Sequence, residues 1–407
     1  MRKTARVLLL LFIFTVPWEY SLDLGDPFGN IARIFGLALF FVAIVAVVWA
    51  RQIRTPGPLQ WLTLAFFLWL CVTYFWSIDP AETLRKLPGY LQEMMVVWVA
   101  WEFIESSNAL HQAFRAWLAG SWILALLTVA EMRSAEAMAA GQIRFAAFGQ
   151  DPNDVARFLD LGFPVAAFLL DQEKRWGRRL LALGFFPAGL VAVVLTASRG
   201  GLIAALMALI GSALLLLGKH KRALLTAVCA MPLAAAVLWF FTPAETLDRL
   251  ATIADPLQVG DLNQRLNIWE AGWRSFVRAP LFGHGAGSFV SAAGLASIDT
   301  AHNTALALLV EGGLCALTIA AAILLAAFAC AMQTRGPLRI ALLALLLTWL
   351  TSSLVGTAAE SRTTWLLFAV IACGPRDASV HCAHPAPPRE QKSARDLRQA
   401  AADSMGA

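Results

Sequence analysis

Charge is scarce in this chain: only 14% of its 407 residues are charged, against 59% hydrophobic, and the mean hydropathy is +0.65. So little charge cannot cover a soluble surface, which excludes a soluble enzyme and places the chain in lipid. Cysteine is also sparse. Cys71, Cys229, Cys315, Cys330 and Cys373 fall in apolar runs and Cys382 in a polar tail, so none is placed for an external disulfide. There is no P-loop, no G-x-G-x-x-G after a strand, no tandem repeat and no His/Cys cluster with metal-ligand spacing. The first apolar run lacks a small-residue cleavage site and is expected to remain as a span.

What is abundant is long apolar runs. A spanning helix needs about 20 mostly apolar residues, and such runs lie at 4–22, 31–50, 59–76, 88–106, 112–131, 155–171, 179–197, 200–217, 222–241, 302–333, 338–357 and 363–374. They predict an all-α polytopic membrane protein of about twelve spans. Every second connection is basic, from Arg2, Lys3 and Arg6 to Arg335 and Arg339, which sets those connections and both termini in the cytoplasm. These loops also account for the net charge of +5, so nucleic-acid binding is not implied. The expected organisation is spans one to nine in 1–241, a large external loop with amphipathic helices at 242–301, spans ten to twelve in 302–374, and a disordered cytoplasmic tail at 375–407.

The residues able to do chemistry lie at the outer face. In the large loop, Leu266, Trp269, Trp273, Phe276 and Val277 recur at helical spacing and predict an amphipathic helix on the membrane surface. Arg265 shares the side of Trp269, whereas Arg274 and Arg278 fall opposite, with Glu270 supporting Arg274 at i,i+4. Arg265 is either a cation snorkelling at the interface or an anion-binding group. Arg199, in TASRGG, sits in an outer turn before a helix N-terminus, where two glycines allow close backbone approach; it reads as a phosphate site or an interfacial anchor. His302 and Asn303 open the tenth span at the same level. A histidine there can serve as a general base or simply bond to backbone or water.

Glu311 is nine residues on, about 13 Å deeper and about 180° round a helix from His302, so it reads as a buried structural partner. Asp151-Pro152-Asn153-Asp154 suits a turn and helix N-cap, with divalent-metal binding as the minor alternative. Gly283, Gly285 and Gly287, in PLFGHGAGSF, either form turns or nest an anion.

Together these segments resemble the O-antigen ligase and polymerase superfamily of bacterial membrane glycosyltransferases, and the O-antigen ligases in particular. The resemblance runs from about Gly149 to Gly313: a D-P-N element before a span, an S-R-G turn, a large loop with R-x-x-x-W and P-L-x-G-x-G, and H-N-x-x-L-x-x-x-x-E-x-G. It implies a GT-C-like, twelve-span inner-membrane fold with a large periplasmic loop. The implied reaction needs no cofactor or metal and moves a glycan from undecaprenyl pyrophosphate to lipid A–core, with inversion at the sugar. By motif, His302 becomes the base for the acceptor hydroxyl, and Arg199 and Arg265 the cations on the pyrophosphate. Asp151, Asn153, Asn303, Trp269 and Glu311 become substrate-binding candidates.

The shared motifs do not separate a ligase from a polymerase or a protein O-oligosaccharyltransferase, although the single external loop favours the ligase. A transporter or flippase is the rival of another class, supported by Glu93, Asp160 and Glu311 within spans. Against it, the unusual residues gather at one face and no repeat relates two halves.

Overall fold

The computed structural model describes residues 1–25, 29–134, 137, 140–217, 242–251, 265–296 and 300–374. The expected ninth span at 222–241 and the tail at 375–407 lie outside the described residues. Among those described, the chain is all-helical, with no β-strand beyond one isolated bridge between Asp23 and Asn30.

The helices are α1 (Arg2–Thr15), α2 (Ile31–Ala50), α3 (Pro58–Val72), α4 (Pro80–Phe103), α5 (Ser107–Met132), α6 (Pro152–Gln172), α7 (Trp176–Leu195) and α8 (Arg199–Leu217). They continue with α9 (Ala244–Ala251), α10 (Arg265–Arg278), α11 (Phe289–Ala293), α12 (Thr304–Gln333), α13 (Gly336–Val355) and α14 (Arg362–Ala372). Short 3-10 segments extend α1 over Val16–Ser21 and α3 over Thr73–Trp76. Seven of these segments are long and apolar enough to cross a membrane: α2, α3 with its extension, α5, α7, α8, α12 and α13. The protein is therefore a polytopic membrane protein.

Two helices fail that test because of their charge. α4 carries Glu82, Arg85, Lys86 and Glu93, and α6 carries Asp154, Arg157 and Asp160. A charge at membrane depth has to face protein or an internal cavity, and α6 accordingly is the centre of the bundle, with every residue from Val155 to Leu170 buried. It packs on α5, α7, α8 and α13. Its approach to α8 is as close as backbones allow: a Cβ on Gly201 would sit 2.4 Å from that of Ala156, the small-residue contact expected where lipid supplies no hydrophobic drive. α2 is the opposite case, burying only Ala32, Leu39, Ala43 and Ala46.

Helix starts are fixed by side-chain caps. Asn30, Asp79, Ser106, Asp151 and Asn303 each accept a backbone N–H from the first turn of α2, α4, α5, α6 and α12, holding an otherwise unpaired donor.

The predicted amphipathic helix is present as α10, and Glu270 pairs with Arg274 at 3.2 Å on its exposed side. Its buried edge is rotated from the expected one. Ile268, Gly272 and Ser275 are the buried positions, and Ile268, with Trp269 and Phe276 beside it, packs on Phe289, Leu306 and Val310. Leu266, Trp273 and Val277 stay exposed. The helix thus divides its apolar residues between α12 and the surroundings, which a single hydrophobic stripe does not reveal.

Candidate functional site

The starts of α4, α6, α12 and α14 converge with the end of the α1 extension around a polar chamber of about 380 Å³. Its wall holds unusually many charges for a membrane bundle: Glu19, Glu82, Arg85, Lys86, Asp154, Arg157, Glu311 and Glu360. All but Glu311 take part in ion pairs. Arg157 Nη2 donates to Asp154 Oδ1 (2.7 Å), Arg85 Nε donates to Glu82 Oε2 (2.6 Å), Lys86 pairs with Glu360, and Glu19 with Arg362. Pairing lowers the cost of each buried charge, although it does not make the pairs a source of net stability.

Arg157 is the most enclosed of these cations, 5% exposed. Beyond Asp154 it reaches the Thr357 carbonyl at 3.3 Å, and its Nε has no hydrogen-bond partner. A buried guanidinium with an unmet donor on a chamber wall is equipped to take an anionic or hydroxyl-rich ligand. Arg157 is not among the residues singled out from the sequence, whose motifs lie in the outer turns. The available signal was an arginine inside an apolar helix, which is costly enough to need a reason.

The glycine-rich loop has an unanticipated role. Within α12, Gly313 takes φ +66° and ψ −165° and breaks the helix. The segment 280–287 splices into the break: Leu314 N–H donates to Pro280 O (2.8 Å), His284 N–H to Val310 O (2.8 Å) and Gly285 N–H to Glu311 O (2.8 Å). Gly283 and Gly313 make the contact possible, since a Cβ on either would meet the other segment's backbone at 2.3 to 2.5 Å. The glycines serve this close approach. The Glu311 side chain accepts backbone N–H groups of Gly287 and Phe289, so it ties the loop to α12 and also faces the chamber. The other side of the loop is held by α3 and α4: Thr83 Oγ1 donates to Ala286 O (2.7 Å), and Ser291 Oγ donates to Asp79 Oδ2 (2.8 Å). With the Glu82 amide, that hydroxyl holds the Asp79 carboxyl below its ordinary range.

The D-P-N element and the S-R-G turn meet at one atom. Asn153 Oδ1 accepts from Ser198 Oγ (2.8 Å) and from Arg144 Nη2 (3.0 Å), while Arg144 Nε donates to Thr196 O (3.2 Å). Asp151 caps α6 through the Asn153 amide at 2.7 Å, the N-cap reading of that residue. Arg199 opens α8. The glycines after it are used for packing, Gly201 on Ala156 and Gly200 on Val355, and so are not a cradle kept open for phosphate.

His302 stands at φ +46° immediately before the cap of α12. A non-glycine residue in that region carries strain that the surroundings must hold, and here they do. Asn303 caps α12 through the Leu306 amide (2.9 Å) and donates to Leu354 O (3.2 Å), Thr304 Oγ1 donates to Gly356 O (2.8 Å), and Trp269 Nε1 donates to Ala301 O (3.0 Å). Trp269 thereby fixes the segment carrying His302 to α10, whose first residue is Arg265. The imidazole is beside Thr300 Oγ1, 3.2 to 3.3 Å from its nitrogens, and Thr300 lines the chamber. Asp154 lies within electrostatic reach of His302. Among the described residues, no group of three or more His, Cys, Asp and Glu side chains could hold a metal ion.

Among the described residues the chain is an all-helical bundle with seven helices long and apolar enough to cross a membrane and a charged chamber walled by helix starts and a spliced loop, which defines it as a polytopic membrane protein. A family model described as O-antigen ligase matches residues 183–321, and the match supports membership of the chain in that family. The matched stretch includes Arg199, Arg265, Trp269, His302, Asn303 and Glu311; Asp151, Asn153 and Arg157 lie before it. No curated protein matches the chain.

Proposed function

We propose that this protein is an O-antigen ligase, transferring a glycan from undecaprenyl pyrophosphate to lipid A–core at the periplasmic face of the bacterial inner membrane. The observation that supports the reading is the chamber, where Thr300, Ala301 and Glu311, from the stretch that the family model matches, meet buried Arg157 and other charged residues that lie outside that stretch. In this reading twelve spans cross the membrane, both termini are cytoplasmic, and the chamber opens to the periplasm.

His302 accepts the proton of an acceptor hydroxyl as its oxygen attacks the anomeric carbon. The bond from that carbon to the pyrophosphate breaks on the opposite side, inverting the configuration. Arg199 and Arg265 stabilise the charge on the departing pyrophosphate, so a metal has no required role. Asp151, Asn153, Asn303, Trp269 and Glu311 act on substrate through the segments they position.

The test offers purified protein undecaprenyl-pyrophosphate-linked glycan with lipid A–core, a second lipid-linked glycan or a pilin as acceptor, with His302→Ala and EDTA in parallel. Transfer to lipid A–core that survives EDTA and is lost in the variant is the expected result. A longer lipid-linked glycan means a polymerase, and a glycoprotein means a protein O-oligosaccharyltransferase. No transfer to any acceptor overturns the enzymatic reading and directs attention to lipid movement, where buried Asp160 and Glu93 become the residues of interest.

A further inference from the structure

A second hollow lies away from the chamber wall just described, between α1, α2 and α4. Phe12, Leu37, Leu39, Met95 and Val96 give it an apolar lining, and it also carries Arg33 and Arg362. It is a shallow groove rather than an enclosed cavity: its volume is about 40 Å³, against about 380 Å³ for the chamber, and the rest of the space along its walls opens outward. Its rim faces outward, since Leu37 is 54% exposed and α2 is the least buried of the long helices. Gly36 lets α2 pack closely on α1 at the groove: a Cβ there would stand 3.3 Å from the Phe12 ring. One ion pair links the wall of this groove to that of the chamber. Arg362 lines the groove, and its partner Glu19 lines the chamber.

Resting on the transferase reading above, we propose that this groove seats one acyl chain of a phosphorylated glycolipid acceptor, with a lipid phosphate on Arg33 and the sugar head directed past Arg362 and Glu19 into the chamber. A transferase whose two substrates both ride on lipids needs two lateral approaches. The donor pyrophosphate belongs with Arg199 at the start of α8, and α8 packs on α6, α7 and α13, none of which lines the groove. The groove is therefore the approach left to the acceptor. Its charge fits that occupant. Arg33 is exposed in the first turn of α2, a helix of membrane-spanning length, with apolar wall along the helix after it. The Arg362 charge is already matched by Glu19, so Arg33 supplies the cation for a phosphate.

The experiment places a photoreactive benzoylphenylalanine at Leu37 or, as a control on another exposed apolar face, at Leu206 on α8. Each protein is reconstituted in phosphatidylethanolamine vesicles containing bisphosphorylated lipid A. The expected result is lipid A labelling at Leu37 about ten-fold above that at Leu206, lost with dephosphorylated lipid A and unaffected by excess polyprenyl phosphate. In transfer assays, Arg33→Gln should raise KM for the acceptor about five-fold, the weight of one cation beside a lipid phosphate, with kcat and the donor KM unchanged. Equal labelling at the two positions, competition by polyprenyl phosphate, or an unchanged acceptor KM would each overturn the proposal. Labelling does not require turnover, so a protein that labels at Leu37 yet transfers nothing refutes the transferase reading alone, and one that transfers without labelling refutes the groove alone.

Discussion

Replacing Gly313 by alanine tests whether the outer loop and α12 are one mechanical unit. Gly313 has φ +66° and ψ −165°, a region essentially closed to side-chain-bearing residues, at a cost of about 1–3 kcal/mol. The added Cβ would also lie 2.3 Å from Leu281 O, 2.4 Å from Leu281 C and 2.6 Å from Phe282 N. All three atoms are backbone, so no side chain can turn aside. The loop must withdraw by about 1 Å to restore an ordinary carbon–oxygen contact, which strains the bonds from Leu314 N to Pro280 O and from Cys315 N to Leu281 O. A buried donor left unmet costs about 1–3 kcal/mol. The total is about 3–9 kcal/mol, most of a typical stability margin. Gly294 is the matched control: its φ is also +66°, and an added Cβ would meet nothing within 4 Å, so Gly294→Ala should cost only about 1–2 kcal/mol. Thermal unfolding in detergent, with limited proteolysis of the 279–296 segment, measures both. Equal shifts in the two variants would refute the splice.

Three further outcomes follow from the same geometry. Asn153→Ala removes the acceptor shared by Ser198 and Arg144 and should cost about 2–4 kcal/mol, whereas Asn153→Asp keeps the oxygen and should remain close to wild type in melting temperature. Arg157→Met should slow glycan transfer about 10- to 100-fold, equivalent to one hydrogen bond to a charged group of about 1.5–3 kcal/mol; an unchanged rate would remove Arg157 from the site. Asp79 has a lowered folded-state pKa, held chiefly by Ser291, so its contribution is present at neutral pH and fades as the pH falls through that lowered value. Ser291→Ala should therefore lower the melting temperature at pH 7, with the difference from wild type closing at pH values below the carboxyl's ordinary 3.8; a difference that persists in acid would mean the clamp does not depend on the carboxylate.

The spans were legible because lipid imposes one rule, a long apolar run, and α2, α7 and α8 obey it to within a few residues of their observed ends. The rule blurs where function intervenes. α4 begins at Pro80, two turns before the apolar stretch, because Glu82, Arg85 and Lys86 face the chamber rather than lipid. Site residues were legible as far as they sit in short motifs, and the structure gives several of them architectural work: Asp151 and Asn303 cap helices, Trp269 holds a carbonyl, and Glu311 holds two amides. What the one-dimensional pattern could not carry is contact between distant segments. Nothing local distinguishes Gly313, where the helix breaks, from Gly312 beside it, because the cause is a loop some thirty residues earlier. Arg157 escaped for the same reason, as its chamber is assembled from four separate helix starts.

The splice at Gly313 has a consequence for how this chain can change in length. The residues from Asn303 to Gly313 and those from Pro280 to Gly287 are bonded to each other and to their neighbours, so together they act as a ruler that holds the first turns of α12 and the loop in one register. Inserting or deleting a residue between Asn303 and Gly313 would rotate and lift everything beyond it by one helical step of about 100° and 1.5 Å, and a change of length in the non-helical 280–287 segment would pull its bonds to Val310, Glu311 and Leu314 out of register. Length variation is expected to be tolerated outside the ruler and lethal to activity within it.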